Sequence, residues 1–129
     1  MFYIKNKLVM FKSSNSVFQF DSNVECVSQI IRKDKKHYLN IKLLENEQAV
    51  QQFDTFCKQL HHNYENSLKH NCLFTKLPFR YNRFSIQFDN LKTSEQFQVG
   101  KIFNCSIQFG GFVQVDQSMC TCFKIIKVW

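Results

Sequence analysis

The stretch ENEQAVQQFDTFCKQLHHNYENSLK, residues 45–69, is where the chain changes its period. Its apolar positions are Ala49, Val50, Phe53, Phe56, Cys57, Leu60, Tyr64 and Leu68. Steps of three and four residues put these on one face of an amphipathic helix. Glu45 and Glu47 stand at its start and Lys69 at its end, as the helix dipole favours. No Gly or Pro interrupts it, so one long helix is predicted over 45–69.

On either side the period falls to two. Upstream, FYIKNKLVMFK (2–12) reads as a strand with Asn6 as a bend. SSNS (13–16) reads as a turn, and DSN after VFQF as another. VECVSQII (24–31) and HYLNIKLL (37–44) read as a strand pair joined by the charged turn RKDKK (32–36). In HYLNIKLL, Tyr38, Asn40 and Lys42 share one face and Leu39, Ile41 and Leu43 the other. Downstream, a loop holding Pro78 precedes the strand RFSIQFD (83–89). A turn region, LKTSEQFQVGK, leads into IFNCSIQF (102–109), with Phe103, Cys105, Ile107 and Phe109 on one face. Gly110 and Gly111 permit a bend or bulge, VQVDQSMCT reads as a hairpin, and CFKIIKVW (122–129) as a closing strand.

The order is three strands, one helix, then two or three strands. This is a mainly β chain with one long helix, and a five-stranded Greek-key barrel of the OB type carries its helix at that point, between the third and fourth strands. The rival is an open α+β sheet with the helix packed on one face. The 129 residues suit a single domain, 1–129.

Composition narrows the partner. Lys and Arg number 17 against 10 Asp and Glu, a net charge of +7, which favours an anionic partner such as nucleic acid. Fifteen Phe exceed what a small core needs, so some rings are expected at the surface. MFYIKNKLVMF lacks a sustained apolar run, so no signal peptide is expected, and no stretch reaches the length of a membrane span. The six Cys sit inside apolar patterns and are expected as reduced thiols in an intracellular, reducing compartment.

Two groups interleave cations with rings. Arg32, Lys33, Lys35, Lys36 and Tyr38 form one; Lys76, Phe79, Arg80, Tyr81 and Arg83, in KLPFRYNRFSIQFDN (76–90), form the other. Single strands are held by cations that track phosphates and by rings on which bases stack. The competing reading makes the first group a solvated hairpin tip and the second a corner of the core. Other chemistries find less support. His61, His62, His70, Cys72, Cys120 and Cys122 lack the paired spacings of a zinc site, so no metal or cofactor is expected. The carboxylates are dispersed, and no Gly-rich phosphate loop follows Gly110 and Gly111, so no catalytic residue is expected. Trp129 reads either as a core ring or as a stacking surface beside Lys124 and Lys127.

KLPFRYNRFSIQFDN, QVGKIFNCSIQFGGF and TCFKIIKVW together resemble the C-terminal half of small OB-fold single-stranded-DNA-binding proteins of large eukaryotic DNA viruses. Phe88, Asp89, Gly100, Lys101, Cys105, Ile107, Phe109, Gly110, Phe112, Phe123, Lys124 and Ile125 stand at the strand and glycine positions of that pattern. The similarity is close over roughly the last 50 residues and looser before them. Where such proteins often carry Trp, this chain has Phe112 and Phe123. The resemblance implies coating of single-stranded DNA in replication, recombination or repair, in an infected cell.

The expected function is therefore sequence-tolerant binding of single-stranded DNA, or RNA, by a non-enzyme. Arg32, Lys33, Lys35, Lys36, Lys76, Arg80 and Arg83 would hold phosphates, and Tyr38, Phe79, Tyr81 and Phe112 would stack bases. The alternative is a viral structural or protein-interaction module that forms a homo-oligomer through surface Phe.

Overall fold

Alternation of apolar and polar residues builds most of the strands. The computed structural model describes residues 2–5, 8–11 and 16–129. In chain order the strands are β1 (Phe2–Lys5), β2 (Leu8–Phe11), β3 (Ser16–Val17), β4 (Gln19–Cys26), β5 (Ile31–Lys33) and β6 (Lys36–Leu43). Helix α1 (Glu47–Leu60) follows. Then come β7 (Leu68–Lys69), β8 (Cys72–Leu77), β9 (Phe79–Arg80), β10 (Arg83–Phe84), β11 (Gln87–Phe88), β12 (Ile102–Val115) and β13 (Ser118–Val128).

Five of these strands form a ring. β13 pairs with β12, β12 with β4, β4 with β6 and β6 with β8, all antiparallel. The ring closes where β8 runs parallel to β13, through Phe123↔Thr75 and Lys124↔Lys76. The protein is thus mainly β with one α-helix, and its central sheet returns on itself.

The interior is aromatic. Phe53 of α1 stacks on Phe18 at 4.6 Å and 12°. It also meets Phe109 at 5.0 Å, Phe123 at 5.4 Å and Phe2 at 6.0 Å. Edge-to-face and offset pairs of this kind add to the burial term. Cys26, Cys57 and Cys105 are buried among these apolar side chains, and burial pushes the Cys57 thiol up to about 12. At Gly111, with φ +121°, the register of β12 against β13 shifts between Phe109 and Phe112, the bulge that the two glycines permit.

Several local expectations are corrected. The helix stops at Leu60 rather than Lys69, because His61 is extended and the chain turns back. Asp54 on the helix, 5% exposed, gathers that returning segment. Its carboxylate accepts from the Tyr64 hydroxyl, from Ser67 Oγ at 2.6 Å, and from the Ser67 and Leu68 N–H at 3.2 Å. Leu68 then joins β7 rather than a helix face.

The helix also lies between the second and third ring strands, β6 and β8, not between the third and fourth. The opening residues form the hairpin β1–β2 outside the ring, with Phe2↔Phe11 and Lys5↔Leu8 in register, instead of one strand. Asn6, and residues 13–15 of the SSNS turn, lie outside the described residues, while Ser16 opens β3.

The DSN turn is instead part of β4, because β12 and the connection between β6 and α1 satisfy its polar groups. Ser22 Oγ donates to the Glu45 carbonyl at 2.8 Å and the Asn23 side chain to Asn104 Oδ1 at 3.1 Å. VECVSQII does not run unbroken: β4 ends at Cys26, and Ser28 Oγ accepts from the Asn40 N–H at 3.0 Å before β5 begins. RFSIQFD divides because β10 pairs with β9 whereas β11 pairs with β13.

Phe53→Ala is expected to cost about 3–5 kcal/mol, as for other buried aromatic truncations. Leu91→Ala, at a fully exposed side chain, should stay within about 0.5 kcal/mol of the parent. Urea denaturation of the two variants checks this.

Candidate nucleic-acid interface

Two-residue turns set the site's edges. β5 and β6 join through Asp34 (φ 53°) and Lys35 (φ 65°), β7 and β8 through His70 (φ 52°) and Asn71 (φ 63°), and β9 and β10 through Tyr81 (φ 54°) and Asn82 (φ 62°). Two left-handed residues match the twist of a tight hairpin. A chain with three glycines meets that demand with one Asn or Asp in each turn, paired with Lys35, His70 or Tyr81.

Between β6 and β8 the inward residues are Leu39, Ile41, Leu73, Thr75 and Leu77, all buried. Their outward neighbours are Tyr38 and Asn40 on β6 and Phe74 and Lys76 on β8, in register as Tyr38↔Lys76 and Asn40↔Phe74. Tyr38 and Phe74 stack across the strands at 4.9 Å and 16°, and Phe74 is 49% exposed. This pair lies in a groove of about 670 Å³. Lys33, Lys36, Lys69 and Lys76 line it, with Val113 and Val115 of the β12–β13 hairpin on another wall. Asp34 and Glu65 line it as well, and Glu65 is paired with Lys69 at 2.9 Å, which holds its carboxyl below the ordinary range. Cys72, Cys120 and Cys122 complete the lining as free thiols; burial, then Glu65, raises the Cys120 thiol.

A second cavity, of about 270 Å³, adjoins the first through Lys36 and Lys76, which line both. Its other lining residues include Lys35, His37, Phe79, Arg80 and Ser85. His37 is 7% exposed, with its ring against Phe79 at 4.2 Å, and its Nδ1 is buried without a hydrogen-bond partner. Tyr81, 86% exposed, stands at the tip of the adjoining hairpin with Arg83 beside it.

The two expected groups therefore meet. Lys33, Lys36, Tyr38 and Lys76 share the groove, Lys35, Phe79 and Arg80 the cavity beside it, and Tyr81 and Arg83 its lip. Arg32 lies on β5 opposite His37 and lines neither. Phe112 packs against Phe109 at 5.1 Å and His61 at 5.0 Å, where it covers the core instead of facing the groove. The resemblance had offered that ring as a stacking platform.

Phe74, Lys69, Val113 and Val115 were missed. CLFTKL alternates Leu73, Thr75 and Leu77 against Phe74 and Lys76. Read as a strand, it would have put Phe74 outward beside Lys76.

Among the described residues no three His, Cys, Asp or Glu side chains stand together as a metal would need. No helix among them is long and apolar enough to cross a membrane. Comparison of the chain with protein-family models, curated proteins and solved structures finds no match.

Burial, and then the charge of Arg32, holds the His37 imidazole below its ordinary range. The unfolded chain then binds the proton first as pH falls, so stability is fully present above the ordinary value of about 6.5 and declines below it. His37→Phe should flatten this decline. Thermal melts from about pH 7.5 to about pH 5.5, above the carboxylate range, check the slope.

Proposed function

We propose that the protein binds single-stranded nucleic acid, single-stranded DNA foremost, without sequence preference and without catalysis. The observation that carries the reading is where the exposed rings lie. Among the described residues the exposed phenylalanines are Phe74, at 49%, and Phe79, at 39%; Tyr81 joins them at 86%. All three fall within eight residues that also hold Lys76 and Arg80, and cations interleaved with exposed rings are what a single strand needs.

Topology supports the same reading. Numbered in chain order, the ring strands are β4, β6, β8, β12 and β13, and the fourth returns to lie beside the first. We read this as an OB-type barrel. In that fold the face of the second and third strands, with the loops joining first to second and fourth to fifth, binds oligonucleotides. Tyr38 and Phe74 lie on the corresponding face, Lys33 and Asp34 belong to the β5–β6 hairpin within the first connection, and Val113 and Val115 end β12 beside the second. The helix position departs from the pattern. The likeness of the last strands to viral single-stranded-DNA-binding proteins supports coating and protection of DNA in replication, recombination or repair. On this reading the protein works inside an infected cell. The oligomer alternative loses its basis in a Phe-rich surface, because most of the described Phe side chains are buried or packed on the core.

Fluorescence anisotropy with a labelled oligothymidylate, its duplex and the equivalent RNA tests the proposal. Tight binding to the single strand is expected, with a logarithmic salt slope of about −0.7 per phosphate contacted. Tyr38→Ala and Phe74→Ala should each weaken binding by about 1–3 kcal/mol, while Phe112→Ala should lower stability and leave affinity near the parent's. Equal affinity for duplex, or indifference to salt, would defeat the reading.

A further inference from the structure

The two adjoining cavities differ in charge. The groove around Tyr38 and Phe74 includes the carboxylates Asp34 and Glu65. The smaller cavity has none: Lys35, Lys36, Lys76 and Arg80 line it with His37 and Ser85. Among the described residues none of those four cations is in an ion pair, the two pairs being Lys69–Glu65 and Lys127–Asp89. Like charges gathered in a concave site raise its potential and attract an anion. His37 adds a buried polar side chain whose Nδ1 has no partner, and such orphans in a folded protein call for an explanation.

We propose that this cavity is a phosphate-monoester pocket that takes the terminal phosphate of a bound strand. The proposal rests on the nucleic-acid reading above and adds a preferred end to it. A monoester carries a charge of about −1.5 to −2 at neutral pH and three acceptor oxygens. A backbone diester carries a single negative charge and two unesterified oxygens. Four cations with no lining carboxylate suit the first better than the second.

The shared linings fit such a path. A strand whose bases lie on Tyr38 and Phe74 meets Lys36 and Lys76 at the junction, and the cavity beyond is lined by Leu77, Pro78 and Phe79. Four cations converging on one cavity of about 270 Å³ concentrate charge at a single point, as a doubly charged chain end needs, where a continuing backbone spreads its charge over successive phosphates. Arg80 supplies a planar fork of donors, and Ser85 a hydroxyl.

The test has two arms. In the first, the His37 ring resonances of the intact protein are followed by NMR during titration with methyl phosphate, and separately with dimethyl phosphate. Saturable shifts with the monoester, weaker by roughly tenfold or more with the diester, are expected. Lys35→Gln and Arg80→Gln should abolish them, while Lys127→Gln, at a side chain that lines neither cavity and pairs with Asp89 instead, should not.

In the second arm, anisotropy compares one oligothymidylate bearing a 5′-phosphate, a 3′-phosphate or neither. One phosphorylated end should bind roughly tenfold tighter than the unmodified strand, and Arg80→Gln should erase that gain, leaving the phosphorylated and unmodified strands with equal affinity. Equal affinity for all three strands, with Arg80→Gln weakening them alike, would make the cavity a backbone contact and overturn the proposal. No response of His37 to methyl phosphate would overturn it independently of DNA binding. Monoester binding by a protein that ignores every oligonucleotide would instead sink the nucleic-acid reading and leave the pocket as a site for a small phosphorylated ligand.

Discussion

The fold depends on a short parallel contact. Two residue pairs, Phe123↔Thr75 and Lys124↔Lys76, join β8 to β13 and turn an open sheet into a ring. Thr75 is fully buried there, and its hydroxyl donates to the Leu39 carbonyl at 2.8 Å, which ties β8 to β6 as well. A buried hydroxyl without a partner would be costly, so this bond is a condition of the closure. Phe123 faces inward next to Thr75 and meets Phe53 and Phe109. The contact that closes the ring therefore also supplies a wall for the aromatic core. On the outer side the same register sets Lys76 beside Lys124 and, across β6, opposite Tyr38. Interior packing and the exposed face are two sides of one pairing.

Asp54 does for the helix what Thr75 does for the ring. A carboxylate inside a protein needs donors, and this one has four, all from the segment that leaves α1. The Tyr64 hydroxyl is held protonated, its pKa raised by burial and then by Asp54. The hydrogen bonds fold residues 61–68 back along the helix. Glu65 N–H then reaches the Met119 carbonyl at 2.9 Å, and the Met119 N–H reaches the Asn63 carbonyl at 2.9 Å. Through these bonds the start of β13 is fixed relative to the groove, and so is the wall that carries Val113 and Val115.

What could be read from sequence followed from local periodicity. The burial of β6 alternates along its length as HYLNIKLL suggests, and in β12 Phe103, Cys105, Ile107 and Phe109 point inward as expected. The helix start was legible to within two residues, and Val50, Phe53 and Cys57 of its apolar face are buried, while Leu60 at the helix end is exposed. The failures share a cause, which is that polar side chains were given their local meaning while the fold used them at long range. Asp21, Ser22 and Asn23 look like a turn, but partners more than twenty residues away hold them in a strand. Tyr64 and Leu68 continue the helical spacing, but Asp54 and β8 claim them. β8 itself was lost because Lys76 and Pro78 gave its end the look of a loop, and with it went Phe74, the ring that completes the groove. The basic-aromatic residues were found by their interleaving along the sequence, whereas Phe112 came only from the resemblance, and it packs on the core.

The arrangement of rings and charges also bears on how one surface could serve both bases and phosphates. A base is flat and largely uncharged, so it gains most where rings and apolar walls face each other. The groove has that character, with Tyr38 and Phe74 on the strands, Val113 and Val115 beside them, and Asp34 and Glu65 among the lysines. A phosphate is compact and negatively charged, so it gains most where positive charge is unopposed. The cavity next to it has that character instead. Period-two alternation contributes to this division. On β8 it sends Phe74 and Lys76 to the same face, one ring and one cation. The β9–β10 hairpin that follows Pro78 then adds Phe79 and Arg80 without a carboxylate between them. On the nucleic-acid reading, Phe74 on the outer face of β8 and the cationic hairpin beyond its end would order a single strand along that axis, bases first and phosphate last.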